Sequence, residues 1–482
     1  MEQLSALDAA FLAMETPSVC GHIGSVTILD PSTCHEPLDL TRLTDLISSR
    51  LHRLPPFRRR LAGVPLGLDQ PYWIEDPGFD IEYHVRELAL PAPGDDRQLA
   101  EQAARLHARP LDRARPLWEA YLIHGLSGGR KGLYIKIHHA AIDGVSGGEL
   151  YAALLDLEPV RAIEPGGDPW RPDDPPHPVG LLARSAVSLA KQPLRAARMV
   201  YGLACSLPKL ASSPARPRLP IVDTLLGRDD VVLRGPRLRA PDTLFNKPVS
   251  AHRRWSFFSL DLAEVKAVKN AAGATVNDVV MALVSGALRR YLLHHDALPE
   301  GPLVAAVPIS LRAEEGSATG NRVSMMLAAL PTDAASPLER LERSAAAMRT
   351  AKSQHGALPA TLLSDVTAFA MPALAGQAAR LAARVRLLER LNPFNLFVSN
   401  VPGPNLPLYL GGARVQGYYP LSALTEGQGL NITVCSLDGG MHFGLIADRE
   451  LVPDLDLLAS LLQDELRELL SHSGHRSPVA AS

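Results

Sequence analysis

The sequence predicts a mixed α/β (α+β) protein made of two domains. The chain has 482 residues, more than one ordinary hydrophobic core organises, so two domains of about 150–250 residues each are expected. Alternating and helical apolar patterns succeed one another in both halves. Between those halves, 15 of the 41 prolines fall from Pro159 to Pro248, a composition of linkers rather than cores. Apolar residues make up 46% of the chain and charged ones 21%, an ordinary globular balance. The 49 Lys+Arg and 51 Asp+Glu leave a net charge of -2, without the basic footprint of a nucleic-acid-binding protein.

The first domain is placed at 1–160. His22–Leu29 (HIGSVTIL) reads as a strand from its β-branched residues. Leu40–Leu54 has helical spacing, and Gln98–Ala108 reads as a helix ended near Pro110. Gly132–Ile137 (GLYIKI) alternates like a half-buried strand, and Gly147–Leu157 reads as the helix after it. Residues 161–248 form a Pro-rich, basic crossing linker. From Pro175 to Val222 it carries seven Lys/Arg and no acid.

The second domain is placed at 249–473. Leu262–Ala272 and Asn277–Leu293 read as helices, the second with Asn277 or Thr275 near its start. Strands are expected at Leu303–Leu311, Phe394–Val401, Leu430–Ser436 and Met441–Ala447. Asp454–Ser471 closes the domain as an amphipathic helix, and the tail 474–482 is expected to be disordered. No internal repeat is visible.

The four cysteines (Cys20, Cys34, Cys205, Cys435) are scattered without CxxC or Cys/His ligand spacing. No zinc site, and no other metal, is expected from them. They read as small buried residues of a reducing compartment. The start, MEQLSALDAAFLAME, carries acids and lacks a basic region followed by an apolar core, so it does not read as a signal peptide. No run of about 18 apolar residues predicts a spanning helix. The expected location is cytoplasmic.

The informative segment is His138-His139-Ala140-Ala141-Ile142-Asp143-Gly144. Two adjacent histidines at a strand end point to opposite sides of a sheet. One can face a reaction channel while the other supports the backbone. An imidazole titrates near ~6.5 and can take a proton from a hydroxyl at neutral pH. Gly144 permits a sharp bend, and Ser146, Gly147 and Gly148 keep the surroundings small enough for a bulky ligand. The competing reading is a pair of structural histidines beside a turn. Composition predicts on the order of 10⁻² chance matches to the four fixed positions, which favours the functional reading. No G-x-S-x-G nucleophile elbow is present.

HHAAIDG resembles the HHxxxDG signature of the bacterial wax ester synthase/diacylglycerol acyltransferases. That signature is shared with coenzyme A-dependent enzymes of the chloramphenicol acetyltransferase-like fold and with peptide-synthetase condensation domains. Further segments resemble family blocks in the same order: Pro116-Leu117-Trp118, Asn277-Asp278, Val307–Arg312 and Ser399–Pro404. The likeness runs from about Leu4 to Leu470.

The resemblance implies two chloramphenicol acetyltransferase-like domains with the active site at their interface. It implies transfer of a fatty acyl group from long-chain acyl-CoA, a co-substrate rather than a cofactor, to diacylglycerol or a fatty alcohol. His139 would be the general base, and His138 would support it. Asp143 would hold the loop by pairing with a basic residue, for which the Arg53–Arg60 cluster is a candidate. Gly144 would make room for the acyl chain or pantetheine. Asn277 would orient the nucleophile or polarise the carbonyl, unless it is only a helix N-cap. Asp278 reads as a structural first-turn acid. Trp118, in the Pro116-Leu117-Trp118 block, reads as packing. Ser146, Gly147, Ser399 and Asn400 are candidates for lining the substrate passage, although Pro402-Gly403-Pro404 also makes Ser399-Asn400 readable as a turn. His22, His124 and His442 read as ordinary, and His294-His295 as a helix-terminal charge.

A lipid acceptor requires contact with a membrane or lipid-droplet surface. Two basic amphipathic stretches, Leu181–Leu207 and Ala373–Leu391, are candidates; the alternative for each is a solvated helix face. Two further readings remain open: a condensation-type enzyme using carrier-bound thioesters, and a non-catalytic lipid-surface binding protein.

Overall fold

The computed structural model describes residues 1–142, 153–159, 172–174, 176–185, 187, 240–310, 323–355 and 392–472. In chain order the first part holds β1 (Glu2–Gln3), α1 (Ala6–Met14), β2 (His22–Asp30), α2 (Leu40–Arg50), β3 (Arg59–Ala62), β4 (Tyr72–Glu75), α3 (Ile81–His84), β5 (Val85–Ala89), α4 (Asp96–His107), β6 (Trp118–His124) and β7 (Lys131–His138). After the linker come β8 (Arg253–Asp261), α5 (Leu262–Ala271), α6 (Val276–His294), β9 (Leu303–Ser310), β10 (Val323–Leu330) and α7 (Pro337–His355). The last part holds β11 (Leu396–Val401), β12 (Tyr409–Leu410), β13 (Ala413–Leu421), β14 (Leu430–Leu437), β15 (Gly440–Asp448) and α8 (Leu455–His472). The basic stretch Ala373–Leu391, the tail from 474 and nearly all of Leu181–Leu207 lie outside the described residues.

Among the described residues the strands form two six-stranded sheets and a small three-stranded one. The first runs β12-β13-β2-β7-β6-β5 and the second β10-β9-β11-β14-β15-β8. Pairing is antiparallel in the first sheet except between β5 and β6. In the second, β11 runs parallel to both of its neighbours. Helices α5 to α8 cover one face of the second sheet. Val279, Leu283, Leu288, Leu458 and Leu462 share that core with Ile432, Phe443 and Leu445. Among the described residues no single helix is long and apolar enough to cross a membrane.

Sheet membership does not follow chain order. β13, from the C-terminal part, pairs with β2 from Arg414↔Asp30 to Leu421↔Gly24, with a bulge between Val415 and Gly417. Division into sequential domains does not foresee this exchange, because sheet pairing obeys edge geometry rather than sequence distance. β13 then crosses β15 closely. A Cβ on Gly444 would lie 1.8 Å from the Pro420 carbonyl oxygen, so only glycine admits the crossing. The Trp255 indole N–H donates to that same oxygen at 3.2 Å.

β7 lies in the middle of the first sheet and is buried on both faces, where alternation predicted one wet face. Leu133, Ile135 and Ile137 join a core on one side. Tyr134 joins another, built with α4 residues, Trp255 and Ile446. The polar side chains on this second face are therefore covered by α4 and the second sheet's edge. Lys136, fully buried, donates to the Leu106 and Arg109 carbonyls at 3.1 and 2.9 Å and sits 3.4 Å from Glu119. It meets the C-terminal carbonyl end of α4, where a cation is favoured.

Candidate active site

The register His22↔His138 between β2 and β7 brings the end of the motif strand beside the start of β2. His138 is the last residue of β7 and shares the Lys136 face; the residue is 1% exposed. Its Nε2–H donates to Glu15 Oε1 at 3.1 Å, and the Ala140 N–H donates to its Nδ1 at 3.1 Å. With Nδ1 accepting, the neutral ring carries its proton on Nε2. Both ring nitrogens are thus spoken for inside the protein.

His139 leaves the strand and opens a 3₁₀ turn, His139–Ile142. Its N–H donates to the Gly21 carbonyl at 2.8 Å. Its ring stacks on Phe11 of α1, with centroids 4.2 Å apart and planes at 23°. The residue is half-buried, while Ala140, Ala141 and Ile142 behind it are buried. The two adjacent histidines therefore differ in kind: one is sealed and held at both nitrogens, the other is partly open and backed by an aromatic face.

Glu15 follows α1 directly as its C-cap. Oε1 accepts from His138 and, at 2.7 Å, from the Gly21 N–H. Oε2 accepts from Arg113 Nη2 and Nε at 2.5 and 3.1 Å. Burial pushes this carboxyl up, but the hydrogen bonds from His138, Gly21 and Arg113 outweigh it and hold it at about 2. Glu15 is a permanent anion beside the histidine pair.

Around this centre the other histidines are structural. The His22 Nε2–H donates to the His107 carbonyl at 2.6 Å. Burial, with the neighbouring Lys136 charge, pushes the His22 imidazole down to about 3. His107 pairs with the Tyr134 hydroxyl at 3.0 Å, and burial keeps it well below the usual histidine range. Both are neutral at pH 7.

Asn277 is the second residue of α6 and half-buried. Thr275, not Asn277, is the N-cap: its hydroxyl accepts from the Asp278 N–H at 3.2 Å, and Asp278 Oδ2 accepts from the Thr275 N–H at 2.9 Å. This capping box gives Asp278 a structural task and takes the N-cap reading away from Asn277. Ser399 and Asn400 lie within β11, opposite Thr433 and Val434 of β14. They are strand residues rather than a turn, because the chain bends only after Val401, where the Gly403 N–H meets Ser436 Oγ at 3.1 Å.

Trp118 is fully buried between Phe57 (centroids 4.2 Å) and His84 (4.6 Å), and its indole N–H donates to the Phe57 carbonyl at 2.8 Å. Pro116 and Leu117 lead into it, with the Leu117 carbonyl accepting from the His138 N–H at 2.9 Å. The block thus reaches the motif strand through its backbone. Asp143, Gly144, Ser146 and Gly147 lie outside the described residues. In the proposed basic cluster, Arg58 and Arg59 pair with Glu75, Arg59 also with Glu2, and Arg60 with Asp76. His295 is the C-cap of α6 and meets Asp454 at 3.0 Å; His294, His295 and Asp454 are three metal-capable groups at the far end of α6 from Asn277, about 25 Å away at 1.5 Å per residue.

Sequence reading missed Glu15, Phe11 and Gly21. MEQLSALDAAFLAME was weighed only as a leader, yet it supplies the wall behind both histidines. The signal that would have found it is register: once HIGSVTIL pairs with GLYIKIHH, the residues just before His22 must lie against those just after His138.

Two interlocked sheets with a half-buried histidine at the end of a central strand fit one class: an acyltransferase of the chloramphenicol acetyltransferase-like fold. The comparisons narrow it. The wax ester synthase/diacylglycerol acyltransferase catalytic domain matches residues 4–280, and the C-terminal domain of the same family matches 319–470. A Mycobacterium tuberculosis protein named "Probable diacyglycerol O-acyltransferase tgs2" is 37% identical over 475 residues, covering 97% of this chain and 99% of its own. The solved wax ester synthase/diacylglycerol acyltransferase from Marinobacter aquaeolei VT8 superposes with a TM-score of 0.69 at 30% identity, covering 98% of this chain and all of that one. The first condensation domain of the calcium-dependent antibiotic synthetase shares the fold, with a TM-score of 0.53 at 16% identity over 99% of this chain and 97% of its own. The chain belongs to the wax ester synthase/diacylglycerol acyltransferase family.

Proposed function

We propose that this chain transfers a long-chain acyl group from coenzyme A to the free hydroxyl of diacylglycerol, and to fatty alcohols, with His139 as general base. The observation that carries the reading is the contrast within the motif: His138 is sealed with both nitrogens occupied, and His139 is half-open. Of the two, His139 is the one with exposed surface. In the step, the imidazole takes the hydroxyl proton as the oxygen attacks the thioester carbon. The C–S bond breaks, and the imidazolium returns the proton to the departing thiolate, so an ester and free coenzyme A result. No covalent acyl-enzyme and no cofactor is needed.

Within this reading Asn277 orients the hydroxyl or polarises the carbonyl, a role supported by the cap being supplied by Thr275 instead. Asp143 and Gly144 shape the loop after the base. Ser146, Gly147, Ser399 and Asn400 line the passage. The enzyme works in the cytoplasm, at the inner face of the cell membrane or on lipid droplets, because its acceptor partitions there. A Mycobacterium tuberculosis relative, also named for diacylglycerol O-acyltransferase activity and 38% identical over 477 residues, favours diacylglycerol as acceptor.

The test is incorporation of radiolabelled palmitoyl-CoA into triacylglycerol by the parent protein and by His139→Ala. The parent should form product, and the variant should lose about 10²–10⁴-fold in rate. Equal rates would remove His139 from the chemistry. Absence of product with diacylglycerol and with hexadecanol would favour a binding protein.

A further inference from the structure

We propose that Glu15 is a positioning residue of this reaction: its carboxylate locks the His138 ring and the Gly21 peptide, and these together hold the main chain of His139. The inference rests on His139 being the base and adds the device that aims it.

The geometry is a closed set of contacts. One oxygen of Glu15 accepts from both the His138 ring and the Gly21 N–H. From the ring the chain continues through Nδ1 to the Ala140 N–H, on the far side of His139. From Gly21 it continues through the carbonyl to the His139 N–H itself, at 2.8 Å. The peptides on both sides of the His139 Cα are therefore fixed by groups that meet at one carboxylate oxygen. Phe11, one turn earlier on α1, stacks on the His139 ring. The same short segment thus sets the backbone and the ring plane of the base.

A carboxylate placed behind a histidine is a known way to fix a tautomer, but here it acts on the neighbour of the base rather than on the base. The second oxygen of Glu15 is anchored by Arg113, which also donates to the Leu12 carbonyl at 2.6 Å. Arg113 is 48% exposed and Glu15 16%, so the outer ion pair contributes little energy by itself and serves as a strut. A carboxylate used only to pair with Arg113 would have no reason to spend its inner oxygen on the motif.

The experiment is steady-state kinetics on the purified full chain, with palmitoyl-CoA and diacylglycerol in mixed micelles. Glu15→Gln should lower kcat on the order of 10- to 100-fold, the usual size for loss of an outer orienting partner, with KM for palmitoyl-CoA changed less than about threefold. In a His138→Gln background the same change should cost clearly less than in the parent, because one of the two paths from Glu15 to His139 runs through that ring and the other through Gly21. A merely structural role would give the full loss in both backgrounds. Unchanged kcat in Glu15→Gln, or full additivity, overturns the proposal. Should Glu15→Gln fail to fold, Arg113→Gln carries the test: kcat is expected to fall about three- to tenfold with KM unchanged, and full activity overturns it. His139→Ala is assayed beside them. If that variant alone keeps parental activity, the assignment of the base has failed rather than the positioning of its loop.

Discussion

Gly21→Ala isolates the geometry of the histidine pair in one methyl group. The glycine has no positive φ, so alanine meets no backbone obstacle there and the effect is steric. A Cβ built at this position would stand 2.8 Å from His138 Nε2, 3.2 Å from Cε1 and 3.4 Å from the Phe11 carbonyl oxygen. An ordinary contact needs about 3.5 Å or more, so the ring must retreat by several tenths of an ångström. It has nowhere to go while both nitrogens stay bonded to Glu15 and the Ala140 N–H. Either one of those bonds is given up or β2 shifts against β7. Overpacking of this kind costs about 1–3 kcal/mol, and a hydrogen bond to a charged partner is worth about the same. We expect a loss of about 1–3 kcal/mol in urea melts and at least about a tenfold fall in kcat, since the methyl sits at the centre of the contacts that hold His139. The assay is equilibrium urea unfolding followed by circular dichroism, with acyl transfer measured on the same preparation. A variant that matches the parent in both would show that the His138 ring is not held as described.

Two other expectations follow from single side chains. Trp118→Ala should destabilise by about 3–5 kcal/mol, because it empties a fully buried site between Phe57 and His84 and strands the Phe57 carbonyl; thermal melting checks it, and a loss under about 1 kcal/mol would contradict the packing. Glu15 should make stability depend on acid. Its folded value of about 2 lies below the ordinary 4.5, so its contribution is fully present above pH 4.5, is lost as pH falls from there to about 2, and amounts to about 3 kcal/mol. Urea melts at pH 7 and at pH 3 should therefore converge for Glu15→Gln relative to the parent, and an equal gap at both pH values would refute the shift.

Much of the fold was legible in the sequence because most elements carry their own signals. The strand HIGSVTIL and the helix that Asp95 and Gln98 open with a capping box lie within a residue or two of where periodicity puts them. The motif histidines were legible as a pair at a strand end, but alternation along the strand is not what separates them: His138 ends β7 as a sealed ring, and His139 opens the following 3₁₀ turn half-buried. What stayed hidden depends on contacts between distant segments. The double burial of β7 comes from α4 and the second sheet closing over Lys136, which local alternation cannot register. The capping role of Thr275 was ambiguous because Thr275 and Asn277 are both good caps and only backbone geometry chooses. Glu15 was invisible for the same kind of reason: an acid after an amphipathic helix looks like solvent-facing charge until the partner strand is known.

The exchanged strand β13 also constrains how the polypeptide is made. Thr33, just after β2, meets the Gly412 carbonyl 379 positions further along the chain, so β2 lacks one neighbour until β13 has been synthesised. Until then the nascent chain carries an open strand edge beside the motif strand, the kind of surface that recruits stray pairings. Emergence of β13 from the ribosome closes it, and contacts this distant are slow to form. A truncated product ending in the linker would keep that edge bare and would be expected to aggregate rather than persist as a half-enzyme.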